Sequence, residues 1–234
     1  MQIHLYELLE GAEKAAGLTV IIDVFRCFSL ECYLFSQGAE VICPAGAIEE
    51  ALALKERFPD AVLFGERHGR KLPGFDYGNS PSQSAGADFT GKPIIHTTSA
   101  GTQGITHAVN ASEIITGSLV NAKAIAEYIR SRDPEEVSLV AMGVFGQKSS
   151  EEDVLCAEYI RALLLGEAEG FPLKERIEDL KNVRAGAKFF SEDEQDVYPR
   201  DDFFMCTDVD RFPFVIRMER EDGLLAARKI PVLE

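Results

Sequence analysis

Between Leu18 and Phe25 the chain reads LTVIIDVF, a β-branched and almost wholly apolar run opened by Gly17 and broken by Asp23. Without polar alternation, such a run predicts a strand buried on both faces. Phe28–Ser36 then predicts a helix, AEVICP (39–44) a second strand, and Ile48–Phe58 a second helix with its charges outward. Four further strands are predicted over Asp60–Gly65, Lys92–Thr98, Ala111–Thr116 and Glu136–Met142, the last three each followed by a helical stretch. Strands alternating with helices imply an α/β fold with a mainly parallel or mixed sheet flanked by helices. Near the end, FVIRMER and LLAARK on either side of Glu221, Asp222 and Gly223 predict a C-terminal β-hairpin over Phe214–Arg228. One domain over 1–234 is expected, with 166–190 as the place where it could subdivide.

In sheets of this kind the ligand crevice lies outside the carboxyl ends of the strands. Here those ends carry DVFR, GERHGR, TTSAGT and GVFGQKSSEED, rich in acids, Arg, Thr and Gly, which points to a site rather than to connecting turns. The stretch Arg67–Gln83 lacks periodicity and is punctuated by Gly69, Pro73, Gly74, Gly78 and Pro81, as functional loops are. The acidic stretch Phe189–Asp202 reads as a solvated surface segment.

Charge narrows the partners. Lys and Arg number 24 against 39 Asp and Glu, a net charge of −15, so binding to nucleic acid or to an anionic membrane is not expected. A small anion remains admissible where a local Arg or metal reverses the sign. No apolar run reaches the roughly 18 residues of a membrane span, and Met1–Glu10 has no basic segment, so a cytoplasmic location is expected. The five cysteines form neither an even set nor a CxxC pair, which argues against a disulfide framework or structural zinc. They read as small core residues. Cys27, directly after Arg26 at a helix start, is a weaker candidate for an activated thiol.

Three constellations carry candidate chemistry. Asp23 and Arg26 sit where a buried strand meets a helix, suited either to an anion held by the guanidinium or to an internal ion pair. Thr97–Thr102 opens a helix, so its hydroxyls either cap that helix or cradle a phosphate. Neither GxxxxGK[ST] nor GxGxxG follows any strand, which removes the main support for nucleotide hydrolysis and dinucleotide binding. Glu152 and Asp153 begin another helix and, with Asp23 and Glu66, bring carboxylates to three strand ends, enough for Mg²⁺. None of His4, His68, His96 and His107 shows metal-ligand spacing with another, so hard oxygen ligands are favoured over zinc.

Taken together, VIIDVFR (20–26), GAEVICP (38–44), GERHG (65–69), GFDYGNSP (74–81), TTSAGT (97–102), GSLVNAKAIA (117–126) and SEEDVLCA (150–157) resemble the 2-phosphosulfolactate phosphatases. The resemblance implies an α/β, Mg²⁺-dependent phosphatase that converts 2-phospho-3-sulfolactate to 3-sulfolactate and phosphate, a step of coenzyme M biosynthesis in methanogens. Two departures stand out. Where the family usually has small hydroxyl residues after the Arg, this chain has Cys27, Phe28 and Ser29, and Ala100 replaces an Asn in the Thr-rich loop. Both remove hydrogen-bond donors from anion-binding loops.

On this reading Asp23, Arg26 and Glu152 are the candidate catalytic residues, with Asp23 or Glu152 orienting the attacking water and Asp23 as a nucleophile the alternative. Arg26 with Thr98, Ser99, Gly101 and Thr102 would bind one anionic group of a small phosphorylated substrate, and Arg67 and Asn79 the other. Asp23, Glu66 and Asp153 would hold Mg²⁺. The departures keep two alternatives open: a phosphatase for another small phosphorylated acid, and a non-catalytic anion-binding relative. A homo-oligomer is also left open.

Overall fold

The alternation of strand and helix is realised in the computed structural model, which describes residues 1–221 and 223–232. In chain order the elements are β1 (Gln2–Glu7), α1 (Leu8–Lys14), β2 (Gly17–Ile22), α2 (Cys27–Ser36), β3 (Val41–Pro44), α3 (Ile48–Arg57), β4 (Val62–Arg67), β5 (Arg70–Lys71) and β6 (Pro93–Thr97). There follow α4 (Gly101–His107), β7 (Ala111–Gly117), α5 (Ala122–Arg132), β8 (Glu136–Ala141), α6 (Glu151–Leu165), α7 (Leu173–Leu180), α8 (Arg184–Ala187), α9 (Arg200–Cys206), β9 (Phe214–Glu221) and β10 (Leu224–Pro231).

The strands form one mixed sheet in the order β1-β8-β2-β7-β9-β10-β3-β6-β4-β5. The unalternating run of β2 is explained by burial on both faces. Val20 and Ile22 pack with Ile115, Leu139, Ile129 and Ile160 on one side, while Ile21 packs with Phe28, Ile105 and Met142 on the other. Two strands were not anticipated: β1, which pairs in parallel with β8, and the two-residue β5, antiparallel to β4.

The C-terminal hairpin forms as expected, with Asp222 of its turn outside the described residues, but it lies in the middle of the sheet. β9 pairs with β7 through Ile115–Arg217 and Thr116–Ile216, and β10 pairs with β3 at Ala227–Ile42. It thereby joins two parallel sets, β1-β8-β2-β7 and β3-β6-β4, whose directions oppose in the ladder. Adjacent strands rotate by about 20–25°, so the five steps from β2 to β6 accumulate roughly 100–125°. Twist of that order brings the carboxyl ends of the two sets together: a Cβ on Gly101, after β6, would lie 2.6 Å from Cys27 Sγ and 3.0 Å from Asp23 Oδ2, after β2.

The segment 189–202 corrects an expectation. Its acids do face outward in part, but Phe189 and Asp202 are fully buried. Phe189 packs with Leu155, Leu180 and Phe203 in a small core of its own, because the apolar residues interleaved with the acids seat the segment against α6 and α9.

Candidate active site

A cleft of about 160 Å³ opens where the strand ends converge. That is well below the roughly 300–1,000 Å³ of pockets for drug-sized ligands, and suits a small anion with a few waters. Asp23, Arg26, Glu66, Asn79, Thr98, Ser99, Glu152 and Asp153 line it, as does Ala100. Arg67, Gly101 and Thr102 do not. Arg67 turns its guanidinium to Glu66 O (2.7 Å) and Thr97 Oγ1 (3.0 Å). Thr102 is tied back to Thr98 instead: its Oγ1 accepts from Thr98 N (3.2 Å), and its N–H donates to Thr98 Oγ1 (3.3 Å). Gly101 serves by having no side chain, since a Cβ would strike Cys27 and Asp23.

The four acids divide by what they already hold. Glu66 ties two loops together, accepting from Ser99 N (2.8 Å) through one oxygen and from Gly69 N (2.7 Å) through the other. Asp153 does likewise, taking Val24 N (2.7 Å) on Oδ1 and both Gly143 N (2.8 Å) and Ser150 Oγ (3.1 Å) on Oδ2. By contrast, the Asp23 carboxylate accepts no hydrogen bond from another described residue, and Glu152 Oε2 is buried with no partner. Ser99 Oγ is a second buried orphan on the same cleft.

Electrostatics separates the groups in the same way. Burial, reinforced by Asp153, Glu152 and Glu66, pushes Asp23 well above the usual carboxylate range. Burial and Asp153 push Glu152 up to about 8. Asp153 rises only to about 6, since burial is opposed by its bonds from Val24, Gly143 and Ser150. Carboxylates crowded in a dry cleft call for a cation, and one or two carboxylates with waters and substrate oxygens is how Mg²⁺ is usually held. The donor set fits that ion, with Asp23 and Glu152 offering unspent oxygens.

Arg26 lines the cleft, and its guanidinium is also engaged within the protein. Its guanidinium donates to Val197 O (2.7 Å) and Gly69 O (3.1 Å), lies 3.6 Å from Asp202 Oδ2, and stacks 4.9 Å over the Tyr198 ring. Its ion-pair partner is thus Asp202, not Asp23, and Arg26 joins the C-terminal segment to the cleft. That segment delivers Lys188, which the sequence reading missed because neither motif nor periodicity marks it. Lys188 faces the acids of the cleft, and burial with the neighbouring Arg26 holds its ammonium below the usual lysine range. His68 and Phe145 were also missed. Both have left-handed backbones, at φ 54° and 56°, a conformation non-glycine residues adopt at a cost of about 1–3 kcal/mol, and their rings meet edge-on at 5.2 Å across the mouth.

The cysteine reading also resolves. All five cysteines are buried, and burial with Asp23 and Glu31 nearby pushes Cys27 well above the usual thiol range, so it is not an activated nucleophile. Among the described residues no helix is long and apolar enough to cross a membrane.

A profile for 2-phosphosulpholactate phosphatase matches residues 3–221. The chain belongs to the 2-phosphosulpholactate phosphatase family. A relative from Bacillus subtilis (strain 168), named a probable 2-phosphosulfolactate phosphatase, is 31% identical over 236 residues, spanning all of this chain and 98% of its own length. Proteins of the same name from Carboxydothermus hydrogenoformans and Thermotoga maritima (strain MSB8) are 42% identical over 158 residues (68% of this chain, 64% of the relative) and 33% over 201 (84% and 86%). As a 2-phosphosulpholactate phosphatase family member, the chain is a phosphoric monoester hydrolase. Of the departures noted in the sequence, those at Cys27 and Phe28 lie in the core behind the cleft, and Ser29 Oγ donates to Val24 O (2.7 Å). Ala100 alone of these residues lines the cleft.

Proposed function

We propose that this chain hydrolyses 2-phospho-3-sulfolactate to 3-sulfolactate and inorganic phosphate, with Mg²⁺ as cofactor. One observation carries the reading: a single cleft holds buried, unpartnered Glu152 Oε2 with the unspent carboxylate of Asp23, and is lined as well by the unpartnered donor Ser99 Oγ and by Lys188. The acids want a cation and the donors want an anion, which a metal-bound phosphate ester supplies together.

Phosphoryl transfer depends mainly on positioning and charge neutralisation. Lys188 and Arg26 raise the local potential for an anion in a protein that is otherwise strongly acidic, and Ser99 Oγ donates to one of its oxygens. Asp23 and Glu152 would hold Mg²⁺, which supplies charge neutralisation at the phosphoryl oxygens. Glu152 would reach the ion through one oxygen and accept the proton of the attacking water on the other, as that water's oxygen bonds to phosphorus and the ester oxygen leaves, taking up a proton from solvent. Glu66 and Asp153 keep their loops in place and so fix the cleft's shape. Arg26 then faces the sulfonate and carboxylate of the substrate, and Asn79 an oxygen of its phosphate.

Phosphate release by the purified protein, with Mg²⁺ and a panel of phosphate esters, tests the reading. Saturable release with preference for 2-phosphosulfolactate is expected. Preference for a different small phosphorylated acid would replace the substrate, and tight anion binding without release of phosphate from any ester would replace the enzyme with a binding protein.

A further inference from the structure

Asn79 closes the GFDYGNSP motif and lines the cleft, and behind it runs a buried polar chain. His96, on β6, is fully buried. Its Nδ1 lies 2.9 Å from Oε1 of Glu31, on α2, and its Nε2 lies 3.1 Å from Oδ1 of Asn79. Glu31 is fully buried too, and its Oε2 has no partner. Phe64 meets the His96 ring edge-on at 6.5 Å, which limits how the ring can turn.

An imidazole Nε2 facing the carbonyl oxygen of an amide satisfies it only by donating, so Nε2 carries hydrogen whichever of Nδ1 and Glu31 Oε1 holds the proton between them. Cys27 Sγ completes a trio of ligand-type atoms within 4.8 Å of one another. The Nδ1–Oε1 distance is that of a hydrogen bond, so one proton lies between His96 and Glu31.

The consequence lies at Asn79. With Oδ1 accepting from His96, the trigonal amide turns Nδ2 away from the ring, and the His96 bond is the one this side chain makes among the described residues. Were the ring singly protonated at Nδ1, Nε2 would need a donor, the amide would reverse, and an acceptor oxygen would face an incoming anion. We propose that the Glu31–His96 pair is a positioning relay that fixes Asn79 with its Nδ2 donor toward the cleft, where it holds an oxygen of the anionic substrate. The inference rests on the reading of the cleft as a phosphate-ester site. Asn79 touches substrate, whereas His96 and Glu31 act through it.

The test combines anion binding with a mutant cycle. Inorganic phosphate is titrated, with Mg²⁺, into the wild-type protein, Asn79→Ala, His96→Gln and the double variant, with melting temperatures as a control on folding. Loss of one charge-assisted hydrogen bond corresponds to roughly 10-fold to 100-fold weaker binding. That is the expectation for Asn79→Ala, with a smaller loss for His96→Gln and no further loss in the double variant. Losses that multiply in the double variant would overturn the relay. Asn79→Asp keeps the acceptor for His96 while presenting a negative oxygen to the anion, so unchanged phosphate binding in that variant would also overturn it. Where His96→Gln does not fold, long-range ¹⁵N–¹H spectra of the wild type decide: a hydrogen on His96 Nε2 is expected, and an Nε2 without one contradicts the proposal. Phosphate binding and the imidazole spectrum are read whether or not the ester turns over. Failure of hydrolysis alone therefore removes the proposed activity and leaves this inference standing.

Discussion

Asp153 accepts bonds from Val24, Gly143 and Ser150, while Glu152, the residue before it, keeps one oxygen buried without a partner. The two carboxylates should therefore respond oppositely to loss of charge. Glu152→Gln removes a carboxylate that the folded protein holds at a cost near neutral pH. It should melt no lower than the wild type, while phosphate release falls by roughly 10²–10⁴-fold, the usual worth of acid–base assistance. Asp153→Asn puts an amide against donors that need an acceptor, and should lose about 1–3 kcal/mol or more in chemical denaturation. If denaturation curves rank the two variants the other way, the division of roles is wrong. The sequence announced both acids at once as a helix-start pair. It could not tell them apart, because the donors that occupy Asp153 come from residues at 24, 143 and 150, brought together only by folding.

At the scale of elements, two contacts set the geometry of the cleft. The β6–α4 turn lies against the β2–α2 turn so closely that a Cβ at Gly101 would reach Cys27 Sγ and Asp23 Oδ2. Gly101→Ala should push these turns apart, and misplacing reacting groups by about 1 Å costs on the order of 10²-fold in rate. A fall of that size in kcat with the fold kept, read by steady-state phosphate release and circular dichroism, is expected. The second contact holds the C-terminal segment: Asp202 Oδ1 accepts from Ser80 Oγ (2.8 Å), Ser82 N (3.0 Å) and Ser82 Oγ (2.6 Å), with Oδ2 facing Arg26. Removing one partner from a buried charge pair costs about 3–5 kcal/mol, so Asp202→Ala should destabilise by that much and also release Lys188 from the cleft. The strand-end motifs were legible because the chemistry of each is local. The ion-pair partner of Arg26 was not legible, because Asp202 lies on a helix far along the chain, within a stretch whose acids suggested solvent.

The whole molecule carries a net charge of −15, yet gathers its most crowded acids in one cleft. Folded, Glu152 rises from an ordinary 4.5 to about 8 and Asp153 from 3.8 to about 6, mainly through burial. The native state therefore binds more protons than the unfolded chain between about pH 4 and 8, and the slope of unfolding free energy with pH is negative there. In a chelator, the melting temperature should fall as pH rises through that window, and saturating Mg²⁺ should lessen the fall. A metal-free profile that is flat or rises would count against the crowding. Fold class was legible at this scale because the apolar run of β2 admits burial on both faces and strands alternate with helices along the chain. The central place of the hairpin was not, since hydrophobic pattern specifies that β9 and β10 pair with each other and says nothing of which strands flank them.

The central claim is that Asp23 and Glu152 hold a divalent cation beside the anion that Lys188 and Ser99 receive. A crystal grown with Mn²⁺ in place of Mg²⁺ and with 3-sulfolactate and phosphate, examined by anomalous scattering, tests this most directly. The account predicts one manganese peak bridging Asp23 and Glu152, with phosphate oxygens against it and within reach of Lys188. Product bound elsewhere, or a metal held away from both carboxylates, would contradict it.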